Sequence, residues 1–132
     1  MSNKTQNITP RIRVIQKLYG NSLNSEAVIE YPKSQYKKFI KDVVQGTIER
    51  NDLIEETIAK YLEEDLNLNR TDKLVKIIIF AAIFELMFKH NTPTKVIINE
   101  YVKTSESFLE KAQIKFINAI LDKISKNVRK PL

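Results

Sequence analysis

The stretch IIIFAAIF, residues 77–84, is the most apolar part of the chain and decides the fold class. Lys76 and Glu85 bound it, and its eight residues are too few to span a bilayer, which takes roughly 20. With its flanks, the stretch predicts a helix over about residues 71–88 that is apolar on nearly every side. We therefore expect a buried helix of a soluble protein, covered on several sides by its neighbours.

Apolar residues at helical spacing predict five further helices around this segment. Their expected ranges are about 9–20, 34–49, 52–64, 93–107 and 110–127. Thr9-Pro10 is a typical helix start, Gly20 is expected to end the first helix, and Asp52 to cap the third. The first helix should bury residues spaced along one side, namely Ile8, Ile12, Ile15 and Tyr19. The 132 residues include only 2 glycines and 4 prolines, which favours an all-α fold with few tight turns.

Charge is distributed unevenly along the chain, whose net charge is +6. Residues 1–48 hold 8 Lys/Arg against 3 Asp/Glu, residues 49–65 hold 2 against 7, and residues 66–132 hold 12 against 6. Basic ends attract phosphate backbones by releasing counterions, although lysine-rich surfaces also keep small helical proteins in solution. Charge alone leaves both interpretations open.

The length of 132 residues fits one domain or two small subdomains. The chain has no cysteine, which excludes disulfides and thiolate metal sites. The N-terminal segment MSNKTQNITP lacks the apolar region of a signal peptide. We expect a cytoplasmic protein with no membrane partner.

No pattern of catalytic residues is visible in the sequence. It has no glycine-rich phosphate loop and no GxSxG motif, and its single histidine, His90, cannot alone form a zinc site or a catalytic triad. The carboxylates of residues 49–65 have the spacing of a helix surface. The prediction is a protein that is not an enzyme and needs no metal or cofactor.

Basic residues at both ends are candidates for binding RNA. On the sixth helix a basic stripe lies opposite the apolar face and consists of Lys111, Lys115, Lys123 and Lys126. Phe116 lies at the rim of that stripe, where it is either a core residue or a ring on which a base stacks. The first helix and its approach add Lys4, Arg11, Arg13 and Lys17.

The fifth helix carries two stripes. Its main apolar arc includes Ile97, Ile98 and Tyr101. A second, mixed stripe at i, i+3, i+4, i+7 consists of Val96, Asn99, Glu100 and Lys103. This stripe is either an ordinary solvated face with one exposed valine or a surface that meets a protein partner.

Five segments resemble the family of the transcription antitermination factor NusB and follow its order. They are KLYG (17–20), GTIERNDLIEETIAKYL (46–62), AIFEL (82–86), TPTKVIINEYVKTSESF (92–108) and KFINAILDKI (115–124). The resemblance covers about residues 9–125 and is most specific in the runs 93–100 and 116–122. It implies an all-α fold of two small packed helical bundles, with about six to seven helices. Within a single domain over residues 1–132, the expected subdomains are about 9–65 and 66–128.

The resemblance also implies a function. Family members bind the boxA element of nascent ribosomal RNA together with the ribosomal protein NusE, in a complex that helps RNA polymerase resist termination. Arg11 matches the family's arginine-rich N-terminus, and Lys115-Phe116 match a pair near the RNA surface. The candidate RNA-binding residues are therefore Lys4, Arg11, Arg13, Lys17, Lys111, Lys115 and Phe116.

Three departures from the family pattern qualify this expectation. The start of the first helix, ITPRIR, has few arginines, Phe80 stands where the family commonly has an arginine, and Ala119 replaces a common glycine. Without an arginine at position 80, Glu85 or Glu100 needs another partner or is exposed. Each lost phosphate contact removes roughly one unit of salt dependence. The alternative is a protein-interaction module of the NusB fold, a homodimer or partner adaptor with weakened RNA binding.

Overall fold

The computed structural model describes residues 8–129, and within them the chain forms six α-helices and no strand. In chain order these are α1 (Pro10–Leu23), α2 (Lys37–Glu49), α3 (Asn51–Leu62), α4 (Lys73–Phe88), α5 (Thr94–Ser105) and α6 (Lys111–Val128). The all-α prediction is confirmed. In this described part of the chain, no helix combines the length and the apolar character that crossing a membrane requires.

The helix α4 lies at the centre of the molecule because it is apolar around its whole circumference. Val75 and every residue from Ile78 to Leu86 are buried, and α4 packs against all five other helices. Asp72 caps its start, since the carboxylate accepts hydrogen bonds from the N–H groups of Leu74 at 2.9 Å and Val75 at 3.3 Å. The predicted covering of this helix on several sides is confirmed.

The other helices surround α4. Helix α1 also packs on α2 and α5, whereas α6 also packs on α3 and α5. Within residues 8–129, α1 and α6 do not touch each other. One continuous apolar core, from Val14 on α1 to Ile124 on α6, joins all six helices. The division into subdomains of about 9–65 and 66–128 stays a prediction.

Two helix ends differ from their predicted positions. Thr9 caps α1 as expected, but the helix continues through Gly20 and ends where the N–H of Asn24 donates to the Gly20 carbonyl at 3.1 Å. A glycine ends a helix by adopting positive φ, and Gly20 does not do so. Only Arg50 separates α2 from α3, so Asp52 lies inside α3 and does not cap it.

The buried face of α1 is also shifted from the predicted one. Its buried residues are Ile12, Val14, Ile15 and Leu18. Ile8 and Tyr19, expected in the core, are 40% and 38% exposed. The shift arises because α1 packs against α2 and α4 as well as α5, which together cover a wider arc than one stripe.

The end of α6 is attached to the end of α4 through Arg129. Its guanidinium donates hydrogen bonds to the backbone carbonyls of Glu85 at 3.2 Å, Leu86 at 2.8 Å, Lys89 at 2.9 Å and Thr92 at 2.7 Å. Carbonyls at a helix C-terminus lack helical partners, and a cation there also complements the helix dipole. Arg129 therefore fixes the junction between α4 and α5 from the end of the described chain.

Candidate nucleic-acid interface

Two of the predicted cations lie beside a groove between α1 and the start of α2. The cationic side chains that line it are Arg13, Lys17, Lys33 and Lys37. The rings of Tyr31 and Tyr36 line it too, its volume is about 370 Å³, and no carboxylate of the described residues takes part in its wall. We call this cavity the α1–α2 groove.

The connection between α1 and α2 forms one wall of the groove and is fixed to both helices. Lys17 Nζ donates to the backbone carbonyl of Glu30 at 2.6 Å and lies 5.5 Å from the ring centroid of Tyr31. The hydroxyl of Tyr31 accepts a hydrogen bond from Gln45 of α2 at 2.8 Å. Burial raises the pKa of Tyr31 despite this hydrogen bond. Because Lys17 binds a neutral carbonyl here, its positive charge is not cancelled.

Arg11 lies on α1 two positions before Arg13, but its side chain points into the interior. The side chain is 13% exposed, and its Nε and Nη2 donate to the two carboxylate oxygens of Glu85 at 2.9 and 2.8 Å. The guanidinium also lies 4.8 Å from the ring centroid of Phe39 and 5.5 Å from that of Tyr101. Arg11 was expected at the surface that binds RNA. The structure instead places it in the interior as an ion-pair residue, because its charge is paired with that of Glu85.

Glu85 is completely buried, and its carboxylate joins three helices. Besides the two bonds from Arg11 of α1, it accepts a hydrogen bond from the hydroxyl of Tyr101 on α5. Burial, and then the negative charge of Glu85, raise the pKa of Tyr101 well above its usual value. Burial opposes the charge of Arg11, but the hydrogen bond and charge of Glu85 raise the pKa of Arg11 nonetheless. Position 80 is a buried phenylalanine and cannot pair with Glu85. Arg11 is the partner of Glu85 instead.

A second basic surface lies at the start of α6. Phe116 is 37% exposed, and it shares a shallow cavity of about 320 Å³ with Arg70. Lys111 and Lys115 are exposed on the same helix. We call these four residues the α6 edge. The exposure of Phe116 favours the interpretation that its ring is available to a ligand.

The other half of the predicted α6 stripe is neutralised by acids. Lys123 Nζ lies 2.5 Å from the carboxylate of Asp65, and Lys126 Nζ lies 3.3 Å from that of Asp122. Within the described residues, the lysines of the stripe that form no ion pair are therefore Lys111 and Lys115, which lie nearer the N-terminus of α6.

The two basic surfaces do not adjoin directly, because α1 and α6 make no contact in the described region. The start of α4 lies between them. Lys73 Nζ is 6.0 Å from the ring centroid of Tyr19 on α1, and Arg70, three positions before it, lies in the cavity of Phe116. The connection is thus the segment 70–73, which holds two cations and the carboxylate of Asp72 and which the sequence did not single out.

Four cations of these surfaces and of the segment between them were not predicted as RNA-binding residues, namely Lys33, Lys37, Arg70 and Lys73, all of which are exposed. Lys33 and Arg70 lie in connections, where no helical periodicity indicates a face, and Lys37 and Lys73 are the first residues of α2 and α4. The one available indication was the alternation of tyrosine and lysine in YPKSQYKK, residues 31–38.

The mixed stripe of α5 faces outward. Val96 is 43% exposed, and Asn99 and Lys103 are exposed as well. Glu100 is half-buried and has a carboxylate oxygen 4.0 Å from Arg11 Nη1. The predicted partner surface is therefore accessible, except where Glu100 contacts α1. Lys4, the remaining candidate for RNA binding, lies outside the described residues.

The arrangement of the helices matches that of a known protein fold. The described helices match a solved structure of NusB from T. maritima with a TM-score of 0.75, at 25% sequence identity and over 89% of each chain. The molecule is therefore an all-helical domain with the fold of that protein.

A family comparison is more specific. The NusB family model matches residues 6–126, and the chain belongs to this family of transcription antitermination proteins. The transcription antitermination protein NusB of Allorhizobium ampelinum is 31% identical over 112 residues, which cover 85% of this chain and 68% of the relative. That of Caulobacter vibrioides is 36% identical over 91 residues, which cover 69% and 61%. The resemblance seen in the sequence is confirmed.

Proposed function

We propose that this chain is an RNA-binding transcription antitermination factor. It binds boxA-like single-stranded RNA of nascent transcripts together with the ribosomal protein NusE, and helps RNA polymerase resist termination of ribosomal RNA operons. Membership of the NusB family supports the role in antitermination. The observation that carries the RNA contact is the pair Arg13 and Lys17, which line a groove without carboxylates.

On this proposal the RNA crosses α1 and continues over the start of α4 to the α6 edge. Arg13 and Lys17 hold its phosphates at one end, and Lys111 and Lys115 hold them at the other. Phe116 supplies a ring for stacking, because more than a third of it is exposed beside cations. Lys73 lies between the two surfaces and, together with Arg70 of the α6 edge, would keep the path positive.

The outward stripe of α5 is the surface that we assign to the protein partner. Val96 supplies an exposed apolar contact, while Asn99 and Lys103 supply polar ones. A partner that binds the same RNA would add affinity through the shared strand even if this contact were small.

A titration of boxA-like RNA at two salt concentrations, with and without NusE, tests the proposal. Binding should weaken with salt, with a slope of about 0.7 per phosphate contacted in single-stranded RNA. NusE should tighten it. Binding that is absent, or that does not respond to salt, in both arms would contradict the proposal.

Two lysines of α6 provide a matched pair of variants. Lys115→Gln removes a charge beside Phe116 that forms no ion pair within residues 8–129, whereas Lys123→Gln removes a charge that is paired with Asp65. Both lower the net charge by one, yet only Lys115→Gln should reduce the salt slope, by about 0.7. Equal slopes for the two variants would place the RNA elsewhere.

A second candidate function is a protein-interaction module that has lost most of its RNA contact. The observation that favours it is Arg11, whose charge is used inside the protein although the related position is part of an arginine-rich segment in the family. Sedimentation discriminates between the two functions. A stable homodimer that RNA does not dissociate, in a chain without salt-dependent RNA binding, would support the module.

A further inference from the structure

We propose that the α1–α2 groove holds one nucleotide of the single-stranded RNA. Lys33 and Lys37 bind the phosphates on either side of this nucleotide, and the ring of Tyr36 stacks on its base. The inference rests on the proposed function and adds Lys33, Tyr36 and Lys37 to the residues that the sequence predicted to bind RNA.

The charge of the groove is the first argument. Four cations line it, and no carboxylate of the described residues does. Lys38, next to Lys37 on α2, shows the contrast, because its Nζ is 3.0 Å from the carboxylate of Asp42. Lys33 and Lys37 form no ion pair with any residue in the range 8–129. A phosphate entering the groove therefore meets cations that need not first release a carboxylate.

The directions of two helices add to this charge. The first residue of α1, Pro10, and the first residue of α2, Lys37, both line the groove. Helix N-termini carry a partial positive charge, and α2 begins without a side chain that caps it. Both helices thus increase the attraction that the four cations exert on an anion.

The aromatic side chains distinguish a nucleotide from a simple anion. Tyr36 is 48% exposed at the groove. Tyr31 is held by Gln45 and by the ammonium of Lys17, so it is a fixed wall. A free aromatic ring beside unpaired lysines is the combination that single-stranded nucleic acid uses, because bases stack while cations hold phosphates.

The size of the cavity limits the ligand. Its 370 Å³ lies near the lower end of small-molecule pockets, which start at about 300 Å³. Such a volume suits one unpaired nucleotide, and a base must be unpaired to stack on a protein ring.

Charge variants at Lys33 and on α2 test the phosphate contacts in the full chain. Lys33→Gln/Lys37→Gln should lower the salt slope of boxA-like RNA binding by about 1.4, which is two single-strand phosphate contacts. Lys38→Gln/Lys41→Gln is the control, since it removes the same charge from exposed residues of α2 that do not line the groove. All four side chains are exposed, so thermal melts followed by circular dichroism should match the wild type.

A fluorescent reporter tests the stacking. The chain has no tryptophan, so Tyr36→Trp introduces a single indole that a stacked base should quench. Leu53→Trp is the control, at a position on α3 that is 41% exposed and outside the groove. Tyr36→Ala should weaken RNA binding about tenfold, whereas Tyr36→Phe should retain it.

The possible results separate the subsite from the function on which it rests. Wild-type chain that does not bind RNA would overturn both. RNA binding that both double variants weaken equally, or that leaves the Tyr36→Trp indole unquenched, would overturn the subsite alone. A mononucleotide such as uridine monophosphate that quenches this indole as strongly as RNA, at equal concentration, would make the groove a site for free nucleotide and would also overturn the proposal.

Discussion

Arg11 and Arg13 are two positions apart on α1 and have different surroundings. A rotation of about 200° separates them on a helix, so one faces the core when the other faces solvent. Arg11 is paired with the buried carboxylate of Glu85, while Arg13 is exposed and its guanidinium donates a hydrogen bond to the side chain of Gln16 at 3.4 Å. The composition of ITPRIR does not reveal this difference, although it decides which arginine can meet a phosphate.

The pair gives a direct prediction about stability. Arg11→Met should lower the free energy of unfolding by about 3–5 kcal/mol, because it leaves the buried charge of Glu85 without its partner. Arg13→Met, at an exposed site on the same helix, should change it by less than about 0.5 kcal/mol. Urea denaturation measures both values. In RNA titrations Arg13→Met should weaken binding more than Arg11→Met. If Arg11→Met unfolds at the same urea concentration as the wild type, the ion pair is dispensable for stability.

Tyr101 gives a prediction about pH. Its pKa is raised in the folded state, so above pH of about 10, where an unperturbed tyrosine ionises, the unfolded chain loses a proton that the native chain keeps. The native state then binds more protons, and stability should fall as the pH rises further.

The measurement is urea unfolding at pH 9 and pH 11. Between these two pH values, Tyr101→Phe should lose less free energy of unfolding than the wild type. Tyr36→Phe, at an exposed ring, is the control and should keep the wild-type dependence. If Tyr101→Phe loses as much free energy of unfolding as the wild type, the pH effect arises from other groups.

At the scale of elements, the contact between α2 and α4 depends on a glycine. A Cβ built at Gly46 of α2 would overlap the ring of Phe84 on α4. A Cβ at Gly20 of α1 would meet no atom within 4 Å. The two glycines of the chain thus have different roles, since Gly46 permits close helix packing and Gly20 does not.

Alanine at each position tests this difference. Gly46→Ala should cost about 1–3 kcal/mol through overpacking against Phe84. Gly20→Ala should gain roughly 0.5–1 kcal/mol, because glycine inside a helix is less favourable than alanine. Thermal or urea unfolding gives both values, and a stabilising Gly46→Ala would mean that the Phe84 ring moves aside freely.

At the scale of the whole molecule, α4 connects elements that are distant in sequence. It contacts all five other helices, and Arg129 attaches the end of α6 to its C-terminal carbonyls. Its central position also keeps α1 and α6 apart. The two basic surfaces are therefore held at a fixed separation by a rigid apolar helix.

This architecture predicts cooperative unfolding. Because one core joins all six helices, urea should unfold the chain in a single transition that coincides in circular dichroism and tyrosine fluorescence. Two separated transitions would instead support independent subdomains near 9–65 and 66–128. Gly46→Ala should shift the whole transition.

The candidate interface was predictable only in part. Arg13, Lys17, Lys115 and Phe116 lie at the surface, but the residues of α1 and those of α6 belong to two separate surfaces. Lys33 was missed because a connection without periodicity gives no information about the side on which its residues lie. Lys37, the first residue of α2, was missed because the pattern of one helix does not show which groove its exposed residues line. Glu85 was recognised as needing a partner, but its partner is 74 positions away in sequence.

The sequence by itself determined the six helices, the burial of α4 and the family, because helix formation depends on hydrogen bonds and apolar spacing within a few residues. The tertiary structure alone decided that Arg11 is internal, that Lys73 lies between the basic surfaces and that the α1–α2 groove exists. These features depend on how helices rotate and pack against one another, and that packing is set by contacts between residues distant in the chain.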